Sequence, residues 1–95
     1  MRKILLVDDE VIIVTQLEER LTHMGYDIVG MASSGLEAVD MARTLEPDLI
    51  LMDIVMPGEL DGIGAAERIR QELGIPLIFL TAYTDHDLIR RAKDL

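Results

Sequence analysis

Cysteine is absent from the 95 residues of this chain. That excludes disulfides, thiolate metal sites and a thiol nucleophile, and it fits a reducing compartment. Cationic residues are scarce: 9 Lys and Arg stand against 18 Asp and Glu, for a formal net charge of −9. Such a chain repels nucleic-acid phosphates, so no nucleic-acid partner is expected, whereas divalent cations and basic partner surfaces are attracted. Long hydrophobic runs are missing as well. The longest are strand-length, far short of a membrane span. Met1-Arg2-Lys3 leads only into a short apolar run that stops at Asp8, which makes a poor signal peptide. No membrane association is expected, and a cytoplasmic location is the default. Linkers, low-complexity tracts and internal repeats are also lacking, and the length suits one small domain.

What is present is an alternation of strand and helix patterns. Ile4-Leu5-Leu6-Val7 reads as a buried strand over 3–8. A helix over 10–24 follows, with Val14, Leu17, Leu21 and Met24 at helical spacing and Gly25 placed to end it. Residues 27–32 form a weaker strand, interrupted by Gly30 and expected at a sheet edge. Ser34-Gly35-Leu36-Glu37 has the form of a capping box, opening a helix over 35–45 with Leu36, Val39, Ala42 and Leu45 inward. A second buried strand covers 48–53, a helix 62–73, and a third buried strand Leu77-Ile78-Phe79-Leu80. Thr84 and Asp87 mark the start of a fourth helix. Strict alternation predicts parallel strands with helices on both faces of the sheet.

Three carboxylates stand out against this frame. Asp8 and Asp9 end one buried run, and Asp53 ends another. In open parallel sheets, ligands bind beyond the carboxyl ends of the strands, where the strand order reverses. If those two strands are neighbours, the acidic trio converges on one crevice, which is costly unless a cation lies between the charges. The pattern therefore points to a divalent metal. Asp61 reads as a helix N-cap, and His23 and His86 as solvated helix-end residues without partners at metal-ligand spacing.

With these residues in view, the chain resembles the receiver domain of two-component response regulators. The resemblance rests on Leu6-Val7-Asp8-Asp9-Glu10, on Pro47-Asp48-Leu49-Ile50-Leu51-Met52-Asp53-Ile54-Val55-Met56-Pro57 followed by Asp61-Gly62, on Ser34-Gly35-Leu36-Glu37-Ala38, and on Thr81-Ala82. It extends over the whole chain and implies a single receiver domain over 1–95. The implied fold is flavodoxin-like α/β, with strand order 2-1-3-4. It also implies that Asp53 is the phosphoacceptor. Asp9 and Asp53 would bind Mg²⁺ through their side chains, Asp8 through water, and Val55 through its backbone carbonyl. Thr81 would hydrogen-bond the phosphoryl group and draw the loop Ala82 to Thr84 inward. The partner would be a histidine kinase or phosphotransfer protein, and the chemistry self-phosphorylation and autodephosphorylation at Asp53. Elementary chemistry agrees: Mg²⁺ prefers oxygen ligands, an ionised carboxylate can attack phosphorus to give an acyl phosphate, and such transfers are catalysed by positioning and electrostatics.

Two departures from the family pattern carry expectations. The family has five β-α units and this chain has four, so the family's active-site Lys and switch aromatic have no counterpart; Lys93 lies in the pattern of the fourth helix. Phosphate transfer and its coupling to conformation should be impaired. The fourth strand should be an exposed apolar edge and one sheet face thinly covered, favouring a homo-oligomer through either. Second, Gly58-Glu59-Leu60 makes the loop before Asp61 one residue longer than the commonest family spacing. Val55 and Tyr83 are bulky at positions that tune dephosphorylation. A rival reading is a structural or assembly fragment that no longer switches. An aspartyl phosphohydrolase is disfavoured because Val55 holds the place of its second acid, and a flavin module because the first loop lacks a phosphate cradle.

Overall fold

The computed structural model describes residues 2–54, 56, 58 and 60–80. Within them the chain runs β1 (Lys3–Val7), α1 (Val11–His23), β2 (Asp27–Ala32), α2 (Gly35–Leu45), β3 (Leu49–Asp53), α3 (Gly62–Glu72) and β4 (Leu77–Leu80). The four strands are all parallel and lie in the order β2-β1-β3-β4. This is the flavodoxin-like arrangement that the sequence resemblance implies. The fourth helix expected from Thr84 lies outside the described residues.

The apolar runs of β1 and β3 are continuous because both faces of these strands are covered. Leu5 and Val7, with Ile50 and Met52, pack on one face against Val39 and Ala42 of α2 and Ala65, Ala66 and Ile69 of α3. Ile4, Leu6 and Leu51 face the other way, against Val14 of α1, with Leu17 and Leu21 half-buried beside them. Burial of each large side chain stabilises the fold by about 1.5–3 kcal/mol. At the foot of the sheet, the Asp48 carboxylate accepts the Lys3 N–H at 2.8 Å while the Asp48 N–H donates to the Lys3 carbonyl at 2.8 Å. β2 is an edge strand, as its interrupted pattern predicts. Its pairing with β1 slips by one residue between Ile4 and Leu5, so that Leu5 faces Gly30.

The helix ends follow their sequence signals with three corrections. α1 closes with paired bonds from the Gly25 N–H to the Thr22 carbonyl and the Tyr26 N–H to the Leu21 carbonyl, both 3.0 Å. Met24, expected inward, is the C-cap of α1 and is exposed. Ser34 caps α2, its Oγ accepting the Glu37 N–H at 3.2 Å, but Glu37 turns to the Ser33 hydroxyl instead of closing the reciprocal bond. Leu36, also expected inward, is exposed. The buried stripe of α2 is Gly35, Ala38, Val39 and Ala42, and position 36 falls off that stripe. On the outer surface Arg43 bonds Glu72, tying α2 to α3. The hydrogen bond and charge of Glu72 raise the pKa of the guanidinium further.

Candidate functional site

The pairing of β1 with β3 sets Val7 opposite Met52. The next residue on each strand is an aspartate, so Asp8 and Asp53 emerge level with each other at the carboxyl edge of the sheet. Because β2 and β3 flank β1 on opposite sides, this is the point where the chain order of the strands reverses. Ligand oxygens of Asp8, Asp9 and Asp53 all lie within 4.8 Å of one another. The sequence expectation that these three residues share one crevice matches this geometry.

The three carboxylates are not equivalent. Asp8 is buried, Asp9 exposed and Asp53 half-buried. β1 ends at Val7 by its regular bonding, one residue short of the expected end. The Asp8 N–H still donates to the Ala32 carbonyl at 3.0 Å, and Asp8 Oδ1 accepts the Glu10 N–H at 2.9 Å. One oxygen of Asp8 thus organises the turn into α1, whose N-cap residue Glu10 makes no side-chain cap of its own. The start of α1 also favours negative charge nearby. Three carboxylate groups supply hard oxygen donors at a spacing compatible with one Mg²⁺ ion.

The segment after Asp53 returns tightly to the strand that precedes it. Asp61 caps α3, with Oδ1 accepting the Gly64 N–H at 2.8 Å, as its sequence position predicts. The Gly62 N–H donates to the Ile54 carbonyl at 3.0 Å, and a Cβ at position 62 would overlap the carbonyl oxygen of Asp53. Gly62 is therefore part of the support of Asp53. Sequence reasoning missed it, since hydrophobic periodicity carries no signal of backbone lying on backbone. Val55 and Thr81, the other two expected site residues, lie outside the described residues, as do Tyr83, His86 and Lys93.

A parallel sheet with an acidic cluster at its switch point places three carboxylates where open α/β sheets bind their ligands. The chain belongs to the response regulator receiver domain family, whose match covers residues 4–95. Among its relatives, the transcriptional regulatory protein PdtaR of Mycobacterium tuberculosis is 44% identical over 93 residues, which are 98% of this chain and 45% of that protein. The alkaline phosphatase synthesis regulator PhoP of Bacillus subtilis is 48% identical over 82 residues, 85% of this chain and 33% of that protein. The chain thus spans less than half the length of these relatives. Among solved structures, the signal receiver domain of a modulated diguanylate cyclase from Desulfovibrio desulfuricans has a TM-score of 0.94 at 36% identity, covering 99% of this chain and 75% of that one. The receiver domain of NarL from Mycobacterium tuberculosis has a TM-score of 0.91 at 25% identity, covering 98% and 76%. These relatives place the chain in two-component signalling. Among the described residues no helix is long and apolar enough to cross a membrane.

Proposed function

We propose that this chain is a Mg²⁺-dependent phosphoacceptor of a two-component relay, working in the cytoplasm. The observation that carries the reading is the approach of Asp8, Asp9 and Asp53 to within 4.8 Å at the switch point of the sheet. An Asp53 carboxylate oxygen attacks the phosphorus of a phosphohistidine on a histidine kinase or phosphotransfer protein. The P–N bond breaks, the acyl phosphate forms, and the imidazole leaves with a proton from solvent. Asp9 and Asp53 would hold Mg²⁺ by their side chains, with Asp8 acting through water and Val55 offering its carbonyl, and Thr81 would donate a hydrogen bond to the transferred group. The ion, when bound, neutralises charge on the phosphoryl oxygens. Burial and its turn-forming bond keep Asp8 fixed, and Gly62 keeps the chain beyond Asp53 close.

Titration calorimetry with Mg²⁺, followed by incubation with a small phosphodonor and intact-mass measurement, tests this reading. One ion bound and one phosphoryl group gained only with Mg²⁺ present is the expected result. A chain that takes up neither is a structural fragment of a receiver and not a phosphoacceptor.

The two tasks of Asp8 can be separated by substitution. Asp8→Asn keeps an oxygen for the Glu10 N–H but loses the charge, so Mg²⁺ affinity should fall roughly 10–100-fold with the turn intact. Asp8→Ala should lose the ion to a similar extent and also lower thermal stability by about 1 kcal/mol, because the turn loses its acceptor. Calorimetry and thermal melts of the metal-free variants, compared side by side, report the two effects separately.

A further inference from the structure

The backbone of Leu60 and Asp61, just before α3, rests on the first residue of α2. Gly35 is buried there, and a Cβ built on it would overlap the carbonyl oxygen of Leu60 and lie 3.2 Å from that of Asp61. These are backbone atoms and are themselves held. The Asp61 carbonyl accepts the Ala65 N–H at 2.9 Å, and its side chain caps α3. The next residue, Gly62, bonds the Ile54 carbonyl and lies against the carbonyl of Asp53. A continuous path of backbone contact therefore joins the start of α2 to the backbone of Asp53, through Leu60, Asp61 and Gly62.

We infer that Gly35 is a positioning residue for the acidic site: by admitting the Leu60–Asp61 backbone against α2, it fixes the approach to Gly62 and hence the placement of Asp53. The inference rests on the phosphoacceptor reading of Asp53. A methyl group at position 35 forces Leu60 and Asp61 outward, since neither carbonyl is the end of a flexible side chain. The shift reaches Asp53 through Gly62. Gly30 offers a matched comparison. It lies on edge strand β2, and a Cβ there meets the side-chain ends of Met41 at 2.7 Å, Leu45 at 2.9 Å and Leu5 at 3.3 Å, all outside the loop.

The experiment compares the wild-type chain with Gly35→Ala and Gly30→Ala. It uses Mg²⁺ calorimetry below the unfolding range, thermal melts, and amide NMR spectra of the metal-free proteins. Gly35→Ala should weaken Mg²⁺ binding about tenfold or more, as changes in the support of metal ligands do. It should also shift the metal-free amide signals of residues 53, 54 and 60–62. Gly30→Ala should lower the melting midpoint and leave Mg²⁺ affinity unchanged. If Gly35→Ala binds Mg²⁺ like wild type, or loses affinity no more than Gly30→Ala at equal destabilisation, the inference is overturned while the phosphoacceptor reading stands. If the wild-type chain binds no Mg²⁺, both fall together. Should Gly35→Ala not fold, Ser34→Ala loosens the same turn by removing its cap, at a cost in stability, and should measurably weaken Mg²⁺ binding; unchanged affinity in that variant overturns the inference equally.

Discussion

Replacing Asp53 with Asn should reduce phosphoryl uptake below detection while the fold survives. The two side chains are nearly isosteric, so the end of β3 and its contacts with Gly62 remain. The chemistry does not remain, because a neutral amide oxygen lacks the nucleophilicity of an ionised carboxylate and cannot yield the acyl phosphate. Mg²⁺ binding should also weaken, as only Asp8 and Asp9 of the clustered carboxylates are left. The measurement is intact mass after incubation with a small phosphodonor and saturating Mg²⁺, with the melting midpoint as a folding control. A folded Asn variant that gains a phosphoryl group as fast as wild type places the acceptor elsewhere in the chain and sinks the proposed mechanism.

The largest loss of stability is expected for Ile50→Ala. Ile50 is fully buried at the centre of β3, paired with Leu5 of β1 on one side and Leu77 of β4 on the other. Its side chain packs in the cluster shared with α2 and α3. Truncation removes transfer free energy and leaves a cavity in a close-packed layer, a combination that costs about 2–5 kcal/mol. Small domains have only about 5–15 kcal/mol in total. Urea unfolding should show a lower midpoint with an unchanged slope. A loss below about 1 kcal/mol would mean that the layer collapses onto the vacated space, contrary to the packing described.

The frame of the fold was legible because its signals are local and periodic. Strand-length apolar runs at Ile4–Val7 and Leu49–Met52 could only belong to strands covered on both faces, and the intervening helices carry clear stripes. The order of the strands came from the family resemblance, because alternation alone fixes direction and not sequence of neighbours. The acidic trio was legible because carboxylates directly after buried strands have no packing role. What escaped was geometry without a side-chain signature. The exposure of Leu36 and Met24 depends on where a helix stripe begins and ends, which periodicity leaves loose by a residue. The divided role of Asp8 depends on a single N–H aimed at one oxygen. The contacts at Gly35 and Gly62 are absences of atoms, visible only when the backbone around them is placed. In the sequence these glycines read as ordinary helix openings.

Because β1 and β3 are each hydrogen-bonded along both edges and covered on both faces, Asp8 and Asp53 stand at the ends of two braced strands. Asp9, exposed on the turn beyond β1, is the least enclosed of the three. The floor of the crevice is thus stiff, and any rearrangement that accompanies its occupancy falls beyond the strand ends. Amides of Leu5, Leu6, Ile50 and Leu51 should exchange with solvent equally slowly in either state, serving as the fixed reference against which other changes are measured.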